Sequence, residues 1–179
     1  PPLKLFERGQ LRGDVLDWLV ACNRIPHCFR ADILAMQGAC EIARQRILAI
    51  LHKYGKAKVL QAVDYIIEYS KRLTRQEIAR WPDGVYEGVG YLDGDMAGNL
   101  DLEIKATVTI DGDRLKVDFT GSAPQVPGIV NSPLANTYTW VFIILCSLID
   151  ESIPKIEGVW ECVELVAPEG SIVNPREGA

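Results

Sequence analysis

Asp118 and Thr120, an acid and a hydroxyl two residues apart, close a strand-like run and lead into Gly121-Ser122-Ala123-Pro124-Gln125-Val126-Pro127-Gly128-Ile129-Val130-Asn131. Leu115, Val117 and Phe119 alternate with Lys116, Asp118 and Thr120, the period of a half-buried strand, so the carboxylate and the hydroxyl point together away from the core. A carboxylate beside backbone freed by glycine has the groups that proton transfer or oxyanion stabilisation requires. The plainer alternative is that both side chains are solvated, next to a hairpin turn at Asp111-Gly112-Asp113. The pattern alone leaves both open.

Other residues with chemical potential are sparser. Cys22, His27 and Cys28 could offer soft metal ligands, but neither a CxxC pair nor a second ligand cluster accompanies them, so small buried thiols and a solvated histidine are expected. His52 falls in the last turn of a helical pattern, where its charge complements the helix dipole. Asp93-Gly94-Asp95 and Asp111-Gly112-Asp113 lack the spaced ligands and closing glutamate of a calcium loop and read as turns. The five cysteines are odd in number and irregularly spaced, which speaks against a disulfide framework.

These residues need a scaffold, and 179 residues at 48% apolar composition can bury one sizeable core. A net charge of -5 without a basic stripe argues against nucleic acid and anionic membrane as partners. The apolar stretch Trp140 to Cys146 is far shorter than the roughly 20 residues that span a bilayer, and the N-terminus carries no signal-like segment, so a cytoplasmic protein is expected. Apolar residues at Val15, Leu16, Trp18, Leu19 and Val20 predict a short helix over 14–22, and Pro26 predicts a loop over 23–30. From Asp32 a helical period runs to Gly55, and a second runs from Val59 to the Trp81-Pro82-Asp83-Gly84 break. Together they suggest an antiparallel helical hairpin.

Beyond Gly84 the period becomes two, which predicts antiparallel strands at 85–86, 100–110 and 114–119. Ser132 is placed to cap a further helix, apolar nearly all round and therefore expected to be buried, and a last strand is predicted from Trp160 to Val166. The fold class is α+β: a long helical hairpin followed by antiparallel strands and a buried helix. The chain reads as one fragment, mainly helical over 1–82 and mixed over 83–179. Trp18, Trp81, Tyr138 and Trp140 are more large aromatics than one small core readily buries, which predicts a subunit interface.

The chain resembles the hydantoinase B/oxoprolinase family, related to acetone- and acetophenone-type carboxylase large subunits. The resemblance rests on Pro1-Pro2-Leu3-Lys4-Leu5, Asn23-Arg24 with Asp32-Ile33-Leu34-Ala35, Trp81-Pro82-Asp83-Gly84-Val85-Tyr86, the stretch from Val117 to Asn131, and Ala167-Pro168-Glu169-Gly170-Ser171 with Asn174-Pro175. It covers nearly the whole chain. Ala31 stands where the family usually has glycine, and Ile156-Glu157-Gly158 lacks the family's preceding asparagine. The resemblance implies an internal segment of a subunit whose metal-binding segment, with its divalent metal, lies upstream. It implies ATP and Mg at the level of a complex, bound by a hydantoinase A-like partner subunit, since this chain has no GxxxxGK[ST] loop.

The implied reaction is ATP-dependent hydrolysis of a cyclic amide such as a hydantoin, oxoproline or lactam. The alternatives are ketone carboxylation and a non-catalytic scaffold segment. The fragment alone is expected to be inactive. By resemblance, Asp118, Thr120 and Asn131 are the catalytic candidates and Gly121, Asn23 and Arg24 the substrate-binding ones, with no metal ligand among them.

Overall fold

The computed structural model describes residues 3–176, so Pro1-Pro2 of the opening motif and residues 177–179 lie outside the described residues. The chain divides into two compact units, Pro1–Leu60 and Gln61–Ala179.

The first unit opens with a small hairpin of β1 (Phe6–Glu7) and β2 (Gln10–Leu11), which the sequence pattern did not reveal. Helix α1 (Gly13–Ala21) buries Val15 and Leu16. The predicted loop over 23–30 is corrected: helix α2 already begins at Pro26 and runs to Tyr54. Proline at the first helical position loses no hydrogen bond, because that N–H has no helical partner anyway. Asn23 prepares the start by accepting the Ile25 N–H on Oδ1 at 3.1 Å, and Arg30 pairs with Asp17 to tie α2 to α1. No residue of α2 is buried, and Met36, Ile42 and Ile47 of its apolar stripe are exposed.

Helix α3 (Lys56–Ile78) follows after the single residue Gly55. Within the second unit its C-terminal half buries Ser70, Thr74 and Ile78. The sheet there has the order β3-β4-β5-β6, formed by β3 (Gly84–Gly94), β4 (Leu100–Asp111), β5 (Arg114–Asp118) and β6 (Val163–Val166). The first three strands are antiparallel, as the period predicts. The final strand is corrected in extent, beginning at Val163 because Trp160 ends a short helix, α5 (Glu157–Trp160), and β6 pairs parallel to β5, making the sheet mixed. A parallel pair requires a crossover, and α4 (Leu134–Leu148) with α5 lies along it.

The inner sheet face carries Leu102, Ile104, Val108, Leu115 and Val117, packed into two cores. The larger joins Ile78 of α3, Val141 and Leu145 of α4, and Val159 of α5 to the sheet; the smaller gathers Leu102, Val126, Ile172 and Val173. Phe119 packs against both, so the residue after Asp118 joins the two cores.

Helix α4 is buried on one face only, through Thr137, Val141 and Leu145; Trp140, Ile144 and Leu148 are exposed. Its all-round apolar composition thus serves a core on one side and a bare face on the other. Ser132 does not cap it: Pro133 holds the N-cap position without a side-chain cap, and Ser132 Oγ instead meets the Asn136 and Thr137 side chains at 3.1 Å. Trp18 and Trp140 are exposed while Trp81 packs against the larger core.

Candidate functional site

Strand β5 delivers Asp118 to the outer sheet face. The register places Asp118 opposite Thr107 of β4, and Thr107 opposite Glu87 of β3, so two carboxylates flank one threonine in a cross-strand row. Lys116 pairs with Asp118 Oδ2 at 3.3 Å and with Glu164 of β6 at 3.8 Å; Lys105 pairs with Glu87 at 3.5 Å. Asp118 Oδ1 accepts the Thr120 N–H at 2.8 Å. The acid and the threonine are therefore brought together, but as an acceptor and its donor rather than as two free groups. The Thr120 hydroxyl and N–H, then Lys116, hold the Asp118 carboxyl below the usual carboxylate range. Such a group stays ionised at neutral pH, able to orient water or a cation but weak as a proton acceptor.

After Asp118 the chain is fastened at nearly every step. The Phe119 N–H donates to Val166 O at 2.8 Å, and Gly121 adopts φ 99°, a left-handed value that turns the chain back. Ser122 Oγ accepts the Lys105 N–H and donates to Lys105 O, both at 3.1 Å, which docks the turn on β4. The Ile172 N–H donates to Ala123 O at 2.9 Å, and the Gln125 N–H to Gly170 O at 2.9 Å, so the Pro-Glu-Gly-Ser motif near the C-terminus packs on this loop. Two stretches that mark the family resemblance, fifty residues apart in sequence, thus form one structural piece.

Asn131 closes the loop. Its Oδ1 accepts the Val126 N–H at 3.0 Å, and Nδ2 donates to Val126 O at 2.6 Å and Gly128 O at 3.2 Å. Both amide protons are thereby used within the loop, leaving one oxygen lone pair for anything else. Asn23 and Arg24 lie in the other unit, at the α1–α2 connection, with the Asn23 amide oxygen engaged by Ile25.

The sequence pattern missed Asp95 and its partners. Asp95 is 2% exposed, and its carboxylate accepts the Ala97 N–H at 2.8 Å, the Asn99 N–H at 3.1 Å and Asn99 Nδ2 at 2.6 Å. Asn99 above all lowers its pKa. Gly128 seats directly against it, since a β-carbon there would lie 2.5 Å from Asp95 O. Only glycine allows that approach. The spacing Asp-x-x-x-Asn with Gly98 inside it was the signal available.

Among the described residues, no three His, Cys, Asp or Glu side chains gather around a point that could hold a metal ion. No described helix is long and apolar enough to cross a membrane. The cysteines are free; Cys22 and Cys28 are exposed rather than buried as expected, whereas Cys162 is buried and its thiol pKa is raised by that burial.

A mixed sheet with a crossover helix, and a fastened acidic loop at the end of its second internal strand, define an α+β fold. The family model for Hydantoinase B/oxoprolinase matches residues 1–179, and the chain belongs to that family. It is 32% identical to caprolactamase subunit beta of Pseudomonas jessenii, over 100% of this chain and 31% of the relative. The crystal structure of the ATP-dependent caprolactamase from Pseudomonas jessenii superposes with a TM-score of 0.79 at 30% identity, over 100% of this chain and 31% of that one. A nucleotide-free acetone carboxylase structure shares the fold, with a TM-score of 0.83 at 18% identity over 97% of this chain and 24% of that one. The chain therefore spans about a third of the length of caprolactamase subunit beta.

Proposed function

We propose that this chain is part of the hydantoinase B-type subunit of a cytoplasmic ATP-dependent enzyme that hydrolyses cyclic amides of the hydantoin, oxoproline or lactam type. The observation that carries this reading is the 32% identity to caprolactamase subunit beta along the whole chain. The acetone carboxylase structure, at 18% identity, carries the fold alone, while the 28% identity to the acetophenone carboxylase delta subunit of Aromatoleum aromaticum keeps ATP-dependent ketone carboxylation as the alternative. ATP, held with Mg by a hydantoinase A-like partner subunit, supplies the activation that makes the amide carbonyl open to water. Water adds to the carbonyl carbon, and the ring C–N bond breaks to leave a carboxylate. The freed nitrogen takes up a proton, as an amine from a lactam or oxoproline and as a ureido NH2 from a hydantoin, and ATP ends as ADP and phosphate.

In this reading the ionised Asp118, oriented by Thr120 and Lys116, positions and polarises the attacking water. The turn at Gly121 brings backbone close to the reacting group, and Asn131 fixes the shape of the loop. A second reading, that the segment supports a site built elsewhere in the complex, is favoured by Asn131, whose amide is taken up by its own loop.

The test is Asp118→Asn in the full-length subunit assembled with its ATP-binding partner. Turnover of a lactam should fall by about two to four orders of magnitude while assembly and ATP binding persist. Unchanged turnover would favour the supporting role.

A further inference from the structure

Strand β3 is the edge of the four-stranded sheet, and its outer side has no partner among the described residues. It is 11 residues long, against 4 for β6 at the other edge. Its pairing with β4 runs without a break from Gly84↔Ile110 to Leu92↔Leu102, so no bulge twists the edge away. It contains no proline and no lysine, and Val85, Val89 and Tyr91 are exposed. Natural sheets shield such edges with short strands, bulges, proline or lysine, because a row of unpaired N–H and C=O groups is a template for another strand. The β6 edge follows that rule by being short; β3 departs from it in length, in the absence of a bulge and in the absence of proline and lysine, and carries only Glu87 and Asp93 as charges.

The inner face of the same strand is also unfinished. Gly88 and Gly90 share the inner face with Ala106 and Ile104 of β4, and a β-carbon at either glycine would meet nothing within 4 Å. The inner surface of β3 is therefore bare at these two glycines.

We propose that the β3 edge is completed by an extended strand belonging to the same subunit, from the portion of a hydantoinase B-type subunit that lies outside the matched third. Backbone chemistry selects the occupant: only an extended segment presents N–H and C=O groups at the repeat of this edge. The source follows from length, because the caprolactamase relative has more than twice as much chain outside the match as inside it. A strand from the same polypeptide is also present at high effective concentration, which favours it over a second molecule.

The experiment is amide-resolved hydrogen exchange on the full-length subunit at two protein concentrations. In an edge strand, only the N–H groups facing β4 are protected, so protection alternates along the strand; in an internal strand consecutive amides are protected. The proposal expects consecutive amides across residues 85–92 to exchange at least about tenfold more slowly than unstructured chain, at both concentrations. Alternating protection would overturn it. Consecutive protection that appears only at the higher concentration would overturn it too, by assigning the strand to a second copy of the subunit.

Discussion

Replacing Gly158 with alanine should be among the most damaging single-methyl changes in this chain. Helix α5 crosses α3 at this residue, and a β-carbon there would lie 2.2 Å from Ile67 O, 2.7 Å from the Lys71 N and 2.9 Å from Ser70 Cβ. Two of the three neighbours are helix backbone, which cannot rotate aside, so α5 must retreat by about 1 Å to reach an ordinary contact distance. The retreat pulls on groups that have no slack. Val159 and Ile78 are 0% exposed, Ser70 donates from Oγ to Pro154 O at 2.7 Å, and Lys71 pairs with Glu161 at 2.6 Å. Overpacking of this kind costs about 1–3 kcal/mol, and loss of the buried serine hydrogen bond adds about 1 kcal/mol. The expected destabilisation is therefore about 2–4 kcal/mol, read by denaturant unfolding of the full-length subunit.

Gly38→Ala is the control for that experiment. Gly38 sits inside helix α2, and a β-carbon there would meet nothing within 4 Å. The change should stabilise by about 0.5–1 kcal/mol, the ordinary helical preference of alanine over glycine. If Gly158→Ala proves as harmless as Gly38→Ala, the close crossing of α5 over α3 is wrong.

Gly128→Ala should destabilise by about 1–3 kcal/mol, because its β-carbon would press on the Asp95 backbone and the β3–β4 connection; thermal unfolding checks it. Asn131→Ala should cost about 2–4 kcal/mol, since it leaves the Val126 N–H and two loop carbonyls without their partner, and proteolytic nicking between residues 123 and 131 should accelerate. Asp118→Asn should cost at most about 1 kcal/mol at neutral pH, its side chain being partly exposed. The folded pKa of Asp118 is lowered, so its contribution is full above the unfolded carboxylate pKa and disappears as pH falls through the folded value. The stability gap between wild type and Asp118→Asn should therefore close in acid, and a gap that widened there would contradict the Thr120 and Lys116 contacts.

Much of the sheet was legible because Leu115, Val117 and Phe119 alternate with polar residues, and the same period runs through β4. Strand β3 was foreseen only at Val85-Tyr86, because Gly84, Gly88 and Gly90 supply no side chains to alternate. The start of α2 is illegible for the opposite reason: Pro26 has the signature of a breaker, yet proline is as much at home at a first helical position as it is destructive inside a helix. The direction of β6 depends on a partner nearly fifty residues away, which local period cannot specify. At the site, strand alternation correctly set Asp118 on the outer face. The involvement of Asn131 in its own loop and the burial of Asp95 under Gly128 come from tertiary contacts, and neither leaves a periodic trace.

The most direct test of the functional account is a coupled assay on the full-length subunit assembled with its ATP-binding partner. Caprolactam, a hydantoin and 5-oxoproline would be supplied in turn, with and without bicarbonate, while ADP and the ring-opened amino acid are measured together. The account predicts ADP formed in step with ring-opened product for at least one of these cyclic amides, and no requirement for bicarbonate. ATP turnover that appears only with a ketone and bicarbonate, with no ring-opened product from any cyclic amide, would contradict it.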